Sequence, residues 1–149
     1  MSEGMVPAAT PELTQDEKAY AGLAHALMIS TWWIGPLVIF LIKRSSRFTA
    51  FHALQALLWQ AIYTLLYVGG MFLLIAVVFA GTAAMPPGKP AEGQLPVGLL
   101  IAMPVVWLIL VGGFVITLTL GIVYCLKAMR GEWARYPIIG RWAARIAGS

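Results

Sequence analysis

Three stretches of the chain carry neither acidic nor basic side chains: Ala19 to Ile42, Thr49 to Gly88 and Gly93 to Leu126. Their continuously apolar parts cover about 19–42, 51–79 and 97–126. A helix rises 1.5 Å per residue, so about 20 apolar residues cross a hydrocarbon core of roughly 30 Å. Each run is long enough for one crossing and too short for two. The apolar positions do not alternate, which excludes barrel strands, and lipid leaves the helix as the only other spanning form. The pattern therefore predicts an all-α, polytopic membrane protein with three transmembrane helices in a single membrane domain over 14–147.

Polar positions and prolines set the remaining elements. Residues 1–13 are small, polar and Pro-containing, and are read as a disordered external tail. Thr14 and Glu17 have capping-box spacing, which starts the first helix a turn before the membrane. Gly35-Pro36 is expected to kink that helix, and Pro104 to kink the third. The 80–96 segment, rich in Pro and Gly, is read as an external loop. From Pro137, residues Ile138, Trp142 and Ile146 recur on one helical face with Arg141 and Arg145 off it. That predicts a C-terminal amphipathic interfacial helix over 137–147 on the cytoplasmic side.

Charge orients this arrangement. With three crossings, the 43–50 loop and the C-terminal tail share a side, which carries Lys43, Arg44, Arg47, Lys127, Arg130, Arg135, Arg141 and Arg145. The other side carries only Lys18 and Lys89. The bias places the chain in the bacterial inner (cytoplasmic) membrane, N-terminus outside and C-terminus cytoplasmic. Lys43, Arg44, Arg47, Arg130, Arg135, Arg141 and Arg145 are then expected to meet anionic lipid headgroups. The net charge of +4 needs no nucleic-acid partner, because the basic residues track the membrane boundary. An acidic N-terminal flank argues against a secretory signal peptide. Composition agrees: 60% of residues are hydrophobic and only 11% charged, with a mean hydropathy of +0.84, against about 25% charged in soluble domains.

Candidate chemistry is sparse. No Asp or Glu falls within a span, which removes the usual carboxylates of proton pumps and paired acid–base catalysis. The hydroxyls of Ser30, Thr31, Thr64, Thr117 and Thr119 have no acid–His frame in sequence. Cys125 is the only cysteine. A three-span topology sets His25 near the outer boundary and His52 near the inner one, on the order of 20 Å apart. No catalytic residues, no metal site and no cofactor are expected, and the chain is read as non-enzymatic.

In the second run, His52, Trp59, Tyr63 and Tyr67 fall on one helical stripe flanked by Gln55 and Gln60. Together with His25 these are binding or pore-lining candidates, since polar side chains in a span face other helices or a wet cavity. The plainer reading is interhelical hydrogen bonding, about 0.6 kcal/mol per contact. Small residues form two i, i+4 stripes: Gly22, Ala26 and Ser30 in the first run, and Gly113, Thr117 and Gly121 in the third. Such stripes let helices approach closely in lipid, so they are where the first helix is expected to meet the third, or one copy another. A homo-oligomer or a membrane-protein partner is expected.

Several landmarks together resemble a known family. They are His25, Gly35-Pro36-Leu37 with Leu41-Ile42-Lys43, and Phe51-His52-Ala53-Leu54-Gln55-Ala56-Leu57 with Gln60. Lys127-Ala128-Met129-Arg130-Gly131-Glu132 and Arg135-Tyr136-Pro137 complete the set. The chain resembles the bacterial membrane proteins grouped with the twenty-kilodalton subunit of the chloroplast inner-envelope (Tic) import machinery. That resemblance implies an inner-membrane protein without established enzymatic activity, and the chain is read as an association or translocation-type membrane component, with protein transport as the translocation case. The resemblance also points to His52, Gln55 and Gln60 as functional positions. The alternative is a small oligomeric pore or transporter subunit lined by the His52–Tyr67 stripe.

Overall fold

A computed structural model describes residues 12–83 and 97–147. The expected tail at 1–13, apart from its last two positions, and most of the expected loop at 80–96 lie outside the described residues. Among the described residues every regular element is helical: α1 (Gln15–Ser30), α2 (Ile34–Ile42), α3 (Arg47–Ala83), α4 (Val97–Trp107), α5 (Gly113–Met129) and α6 (Gly140–Ala147). A π-helical turn, Leu108–Gly112, joins α4 to α5 without a break. It begins one turn after Pro104, where the missing N–H and the ring disturb the ladder, and π adjustments are one way such helices recover their bonds.

The first apolar run is not one continuous helix long enough to be a candidate span. Only Arg47–Ala83 and Leu100–Met129 are long and apolar enough to cross a membrane among the described residues. The run from Ala19 to Ile42 instead folds into a hairpin of two short helices, α1 with 16 residues and α2 with 9. The break lies at Thr31–Trp33, before the expected Gly35-Pro36 kink. Trp32 takes a left-handed φ of 59°, which ends α1 at a cost a helix interior would not bear. The Thr31 hydroxyl donates to the Leu27 carbonyl at 2.8 Å and accepts from the Gly35 amide at 3.1 Å, so one side chain closes both helix ends. A Cβ at Gly35 would collide with Thr31 and Leu27. Pro36 then sits in the first turn of α2, where its lack of an N–H costs little.

The hairpin returns the chain to the end where it began. Lys43 Nζ lies 4.2 Å from the centre of the Tyr20 ring. At the start of α1 the Thr14–Glu17 capping box forms as expected, and the Glu17 carboxylate also accepts from the Ser46 hydroxyl at 2.7 Å. Thr49 donates to the Glu17 carbonyl at 3.2 Å. Residues 12–18 and 43–50 therefore share one end of the molecule, and the expectation that the membrane separates them is corrected.

Packing follows from which side chains are small. α1 runs antiparallel to α5, with Gly22 against Met129 and the Cys125 carbonyl, and Gly121 against Ile29 and the His25 carbonyl. Of the other stripe residues, Gly113 lies under the Tyr63 ring, Thr117 faces Trp59 of α3, Ala26 is half-buried and Ser30 is exposed at the hairpin turn. α6 lays Ala143 and Ala144 against Phe51 and Leu54 of α3. Its helix begins at Gly140 rather than Pro137, and Ile138, Trp142 and Ile146 point outward. The buried core thus gathers at the basic end, around the first half of α3. The far half of α3 and α4 expose large aliphatic and aromatic side chains such as Leu65, Phe72, Phe79 and Leu108.

Candidate functional site

Between α5 and α6 the chain crosses the basic end of the bundle as a non-helical strap, residues 130–139. Gly131 starts it with a φ of +80°, the left-handed turn that glycine adopts without strain. Polar side chains of α1, α3 and α5 fasten this strap. His52 Nε2 lies 3.1 Å from the Glu132 carbonyl, and Gln55 donates to the Ala134 carbonyl at 3.0 Å while accepting from the Tyr136 amide at 2.6 Å. Tyr124 donates its hydroxyl to the Arg135 carbonyl at 2.8 Å.

His25 and His52 meet beneath the strap. His25 Nε2 is 3.0 Å from His52 Nδ1, and His25 Nδ1 is 2.9 Å from the Tyr136 hydroxyl. The sequence-based separation of about 20 Å is corrected, because the α1–α2 hairpin enters and leaves at the end where α3 begins. Both imidazoles are fully buried. Phe48 and Phe51 flank His52, while Tyr124 and Tyr136 flank His25, with ring centroids 4.7 to 6.0 Å apart.

The partners determine the tautomers. A carbonyl only accepts, so His52 Nε2 carries a proton and, in the neutral ring, Nδ1 accepts. His25 Nε2 must then donate, which leaves His25 Nδ1 to accept from Tyr136. Burial first, and the neighbouring Tyr124 second, push the Tyr136 phenol above its ordinary range, so it stays a donor. One directional series results: Tyr136 O–H to His25, His25 to His52, and His52 to the Glu132 carbonyl. Each imidazole donates once and accepts once, with no carboxylate in the series.

Gln60 donates to the Met28 carbonyl near the end of α1, where helix carbonyls lack internal partners. Its Oε1 is buried without a partner among the described residues. Further along α3, Trp59 donates to Thr117 at 2.8 Å and Tyr63 to the Leu110 carbonyl, inside the π turn, at 2.9 Å. Trp32 donates to Thr64 at 2.8 Å and stacks on Tyr63, with Tyr67 at its edge. Tyr67 itself is 37% exposed.

The structure brings His25, His52, Gln55 and Gln60 into one buried cluster and sets Trp59, Tyr63 and Tyr67 along the same face toward the far end. Met28, Tyr124, Tyr136 and the carbonyls of Glu132 and Ala134 belong to the cluster and were missed in sequence. The contacts His25–His52 and His25–Tyr136 span 27 and 111 residues of chain, so no local periodicity points to them. Among the described residues, no three His, Cys, Asp or Glu side chains stand where they could hold a metal ion.

No curated protein and no solved structure matches the chain. The profile of the MamF/MmsF family, described as the magnetosome magnetite crystal formation protein family, matches residues 16–143. This finding overturns the likeness to the chloroplast import family. The landmarks behind that likeness are largely the members of the buried cluster and the strap, so they report how the bundle closes rather than what it moves. With the hairpin, both long apolar helices and the strap inside the matched region, the chain belongs to the MamF/MmsF family.

Proposed function

We propose that this chain is a non-enzymatic membrane protein that crosses the bilayer twice and contributes to crystal formation in the magnetosome membrane, as its family's description says of its members. The observation that carries the reading is the polarity of the molecule. Lys18, Lys43, Arg44, Arg47, Lys127, Arg130, Arg135, Arg141 and Arg145 all belong to the end where α1, α2 and the strap meet. The surface beyond that end is apolar on α2, α3, α4 and α5. Such a molecule lies across a bilayer with its basic end at the cytoplasmic leaflet. Both described chain ends are then cytoplasmic.

The buried cluster supports a scaffold reading over a pore. His52, Gln55 and Gln60 are 0–2% exposed and spend their hydrogen bonds on α1 and the strap. A water-filled path along that face would need those partners displaced. The imidazoles are likewise buried, and among the described residues no carboxylate bonds to them, in keeping with a non-enzymatic reading. Association with a second copy or another membrane protein would use the outward faces of α3 and α4, and cross-linking in native membranes reads it.

Single-cysteine labelling tests the arrangement. In a Cys125→Ala background, an impermeant maleimide is applied to cells carrying Glu12→Cys, Ser45→Cys or Thr82→Cys. Glu12→Cys and Ser45→Cys are expected to react only after permeabilisation, and Thr82→Cys from outside. Labelling of Glu12→Cys and Ser45→Cys from opposite sides would overturn the two-span reading. Release of the protein by alkaline carbonate would overturn the membrane assignment altogether.

A further inference from the structure

Two surface grooves are walled by apolar side chains, one by Tyr63, Leu66, Leu108 and their neighbours, the other by Trp33, Leu57, Leu65 and theirs. A cavity of about 350 Å³ at the basic end is built differently. Glu12, Leu13, Lys18, Arg130 and Gly131 line it. Lys18 comes from the first turns of α1 and Arg130 from the cap of α5, so the packing of α1 on α5 brings two cations to one hollow.

Neither cation is neutralised by an ion pair among the described residues. Glu17, the carboxylate next to Lys18 in sequence, is already held by Ser46 and Thr14. Gly131 leaves the floor of the hollow open. A Cβ there would stand 3.1 Å from Lys18 Cε and 3.5 Å from Leu13 Cδ1 and would crowd the Lys18 stem. Leu13 and the Lys18 stem stand over Gly131 and give the cavity an apolar part, while Lys18, Arg130 and Glu12 bring it charge. Two cations and one carboxylate leave one net positive charge, which a phosphodiester monoanion balances.

We propose that this cavity binds the phosphodiester of a membrane lipid headgroup, with Lys18 and Arg130 on the phosphate oxygens and Glu12 accepting from a hydroxyl of the headgroup. The inference rests on the membrane reading above, since that reading places the basic end, and this cavity with it, at headgroup depth. It differs from the general attraction of a basic face for an anionic leaflet, which any of the exposed arginines supplies. Here the two cations act together at one point, so their removal should matter more than the removal of two charges elsewhere.

The full chain, purified in mild detergent, is titrated with phosphatidylglycerol and retention is read by native mass spectrometry. Lys18→Gln with Arg130→Gln is expected to weaken retention by on the order of tenfold or more, since both charge-assisted hydrogen bonds to one phosphate are lost together. Arg141→Gln with Arg145→Gln removes the same charge from α6 and should change retention by less than about twofold, as a rim charge outside the site. Unchanged melting of both double variants shows that the fold is intact. Equal losses in the two double variants, or no loss in either, would overturn the site. Glycerophosphoglycerol, the same headgroup without acyl chains, separates the sources. Competition by it at the lipid's own concentration would overturn the lipid assignment, and failure to compete supports it. Carbonate extraction and cysteine labelling are independent of this titration, so a failed site with intact topology is told apart from a failed membrane reading.

Discussion

Gln55 offers the sharpest test of what holds the strap. In Gln55→Leu the side-chain volume is nearly kept, but the Ala134 carbonyl and the Tyr136 amide both lose their partner. If these bonds behave as ordinary interhelical contacts in lipid, about 0.6 kcal/mol each, the loss is about 1.2 kcal/mol. The strap, however, lies outside the two long apolar helices, so its unfolded reference is hydrated backbone rather than backbone in lipid. A buried donor or acceptor left unsatisfied then costs about 1–3 kcal/mol. The Tyr136 amide is buried, and the Ala134 carbonyl is open enough to regain some hydration. The expected loss is therefore about 2–4 kcal/mol. Gln60→Leu is the matched control. It frees the Met28 carbonyl but also removes the partnerless Gln60 Oε1, so one unsatisfied atom replaces another. Its expected cost is within about 1 kcal/mol of zero. Equilibrium unfolding in mixed micelles with rising dodecyl sulfate gives both values, and hydrogen exchange across 132–140 reports strap release in Gln55→Leu alone. Equal costs for the two variants would refute the assignment of Gln55 as the strap's clasp.

Three further outcomes follow from the same contacts. Gly113→Ala should destabilise by about 1–3 kcal/mol, because its Cβ would enter the Tyr63 ring and overpack the contact, whereas Gly112→Ala, with open space around it, should be neutral or slightly stabilising; micelle unfolding compares them. Glu17 has its carboxyl held below the ordinary range, first by the Ser46 hydroxyl and then by the Thr14 amide. A depressed folded-state value means its contribution is present above the unfolded carboxylate range and lost as pH falls through the folded one. Stability should thus drop on acidification below about pH 4.5, less so in Glu17→Gln, as followed by tryptophan fluorescence. His52→Phe should loosen the strap, since the Glu132 carbonyl and His25 both lose a partner, and protease cleavage near Glu132 should rise several-fold over the parent chain.

What the sequence determined by itself was the solvent and the hand of the charges. Apolar runs without Asp, Glu, Lys or Arg point to lipid-facing helices, and arginines clustered at their ends mark one end as basic; both follow from composition along a line and need no fold. The Thr14–Glu17 cap was legible for the same reason, being local. The number of crossings was not, because length and hydropathy are alike for a straight helix and for two short ones folded together. That choice rested on Trp32 adopting a left-handed backbone and on Gly35 admitting Thr31 and Leu27, which are contacts rather than composition. Once the first run doubles back, His25 moves from the far boundary to the side of His52, and Gln55 reaches a segment 79 residues away. The polar face of α3 carried the right residues to be seen in sequence, but their partners are backbone groups of a strap and a tyrosine that only the packed chain brings within hydrogen-bond reach.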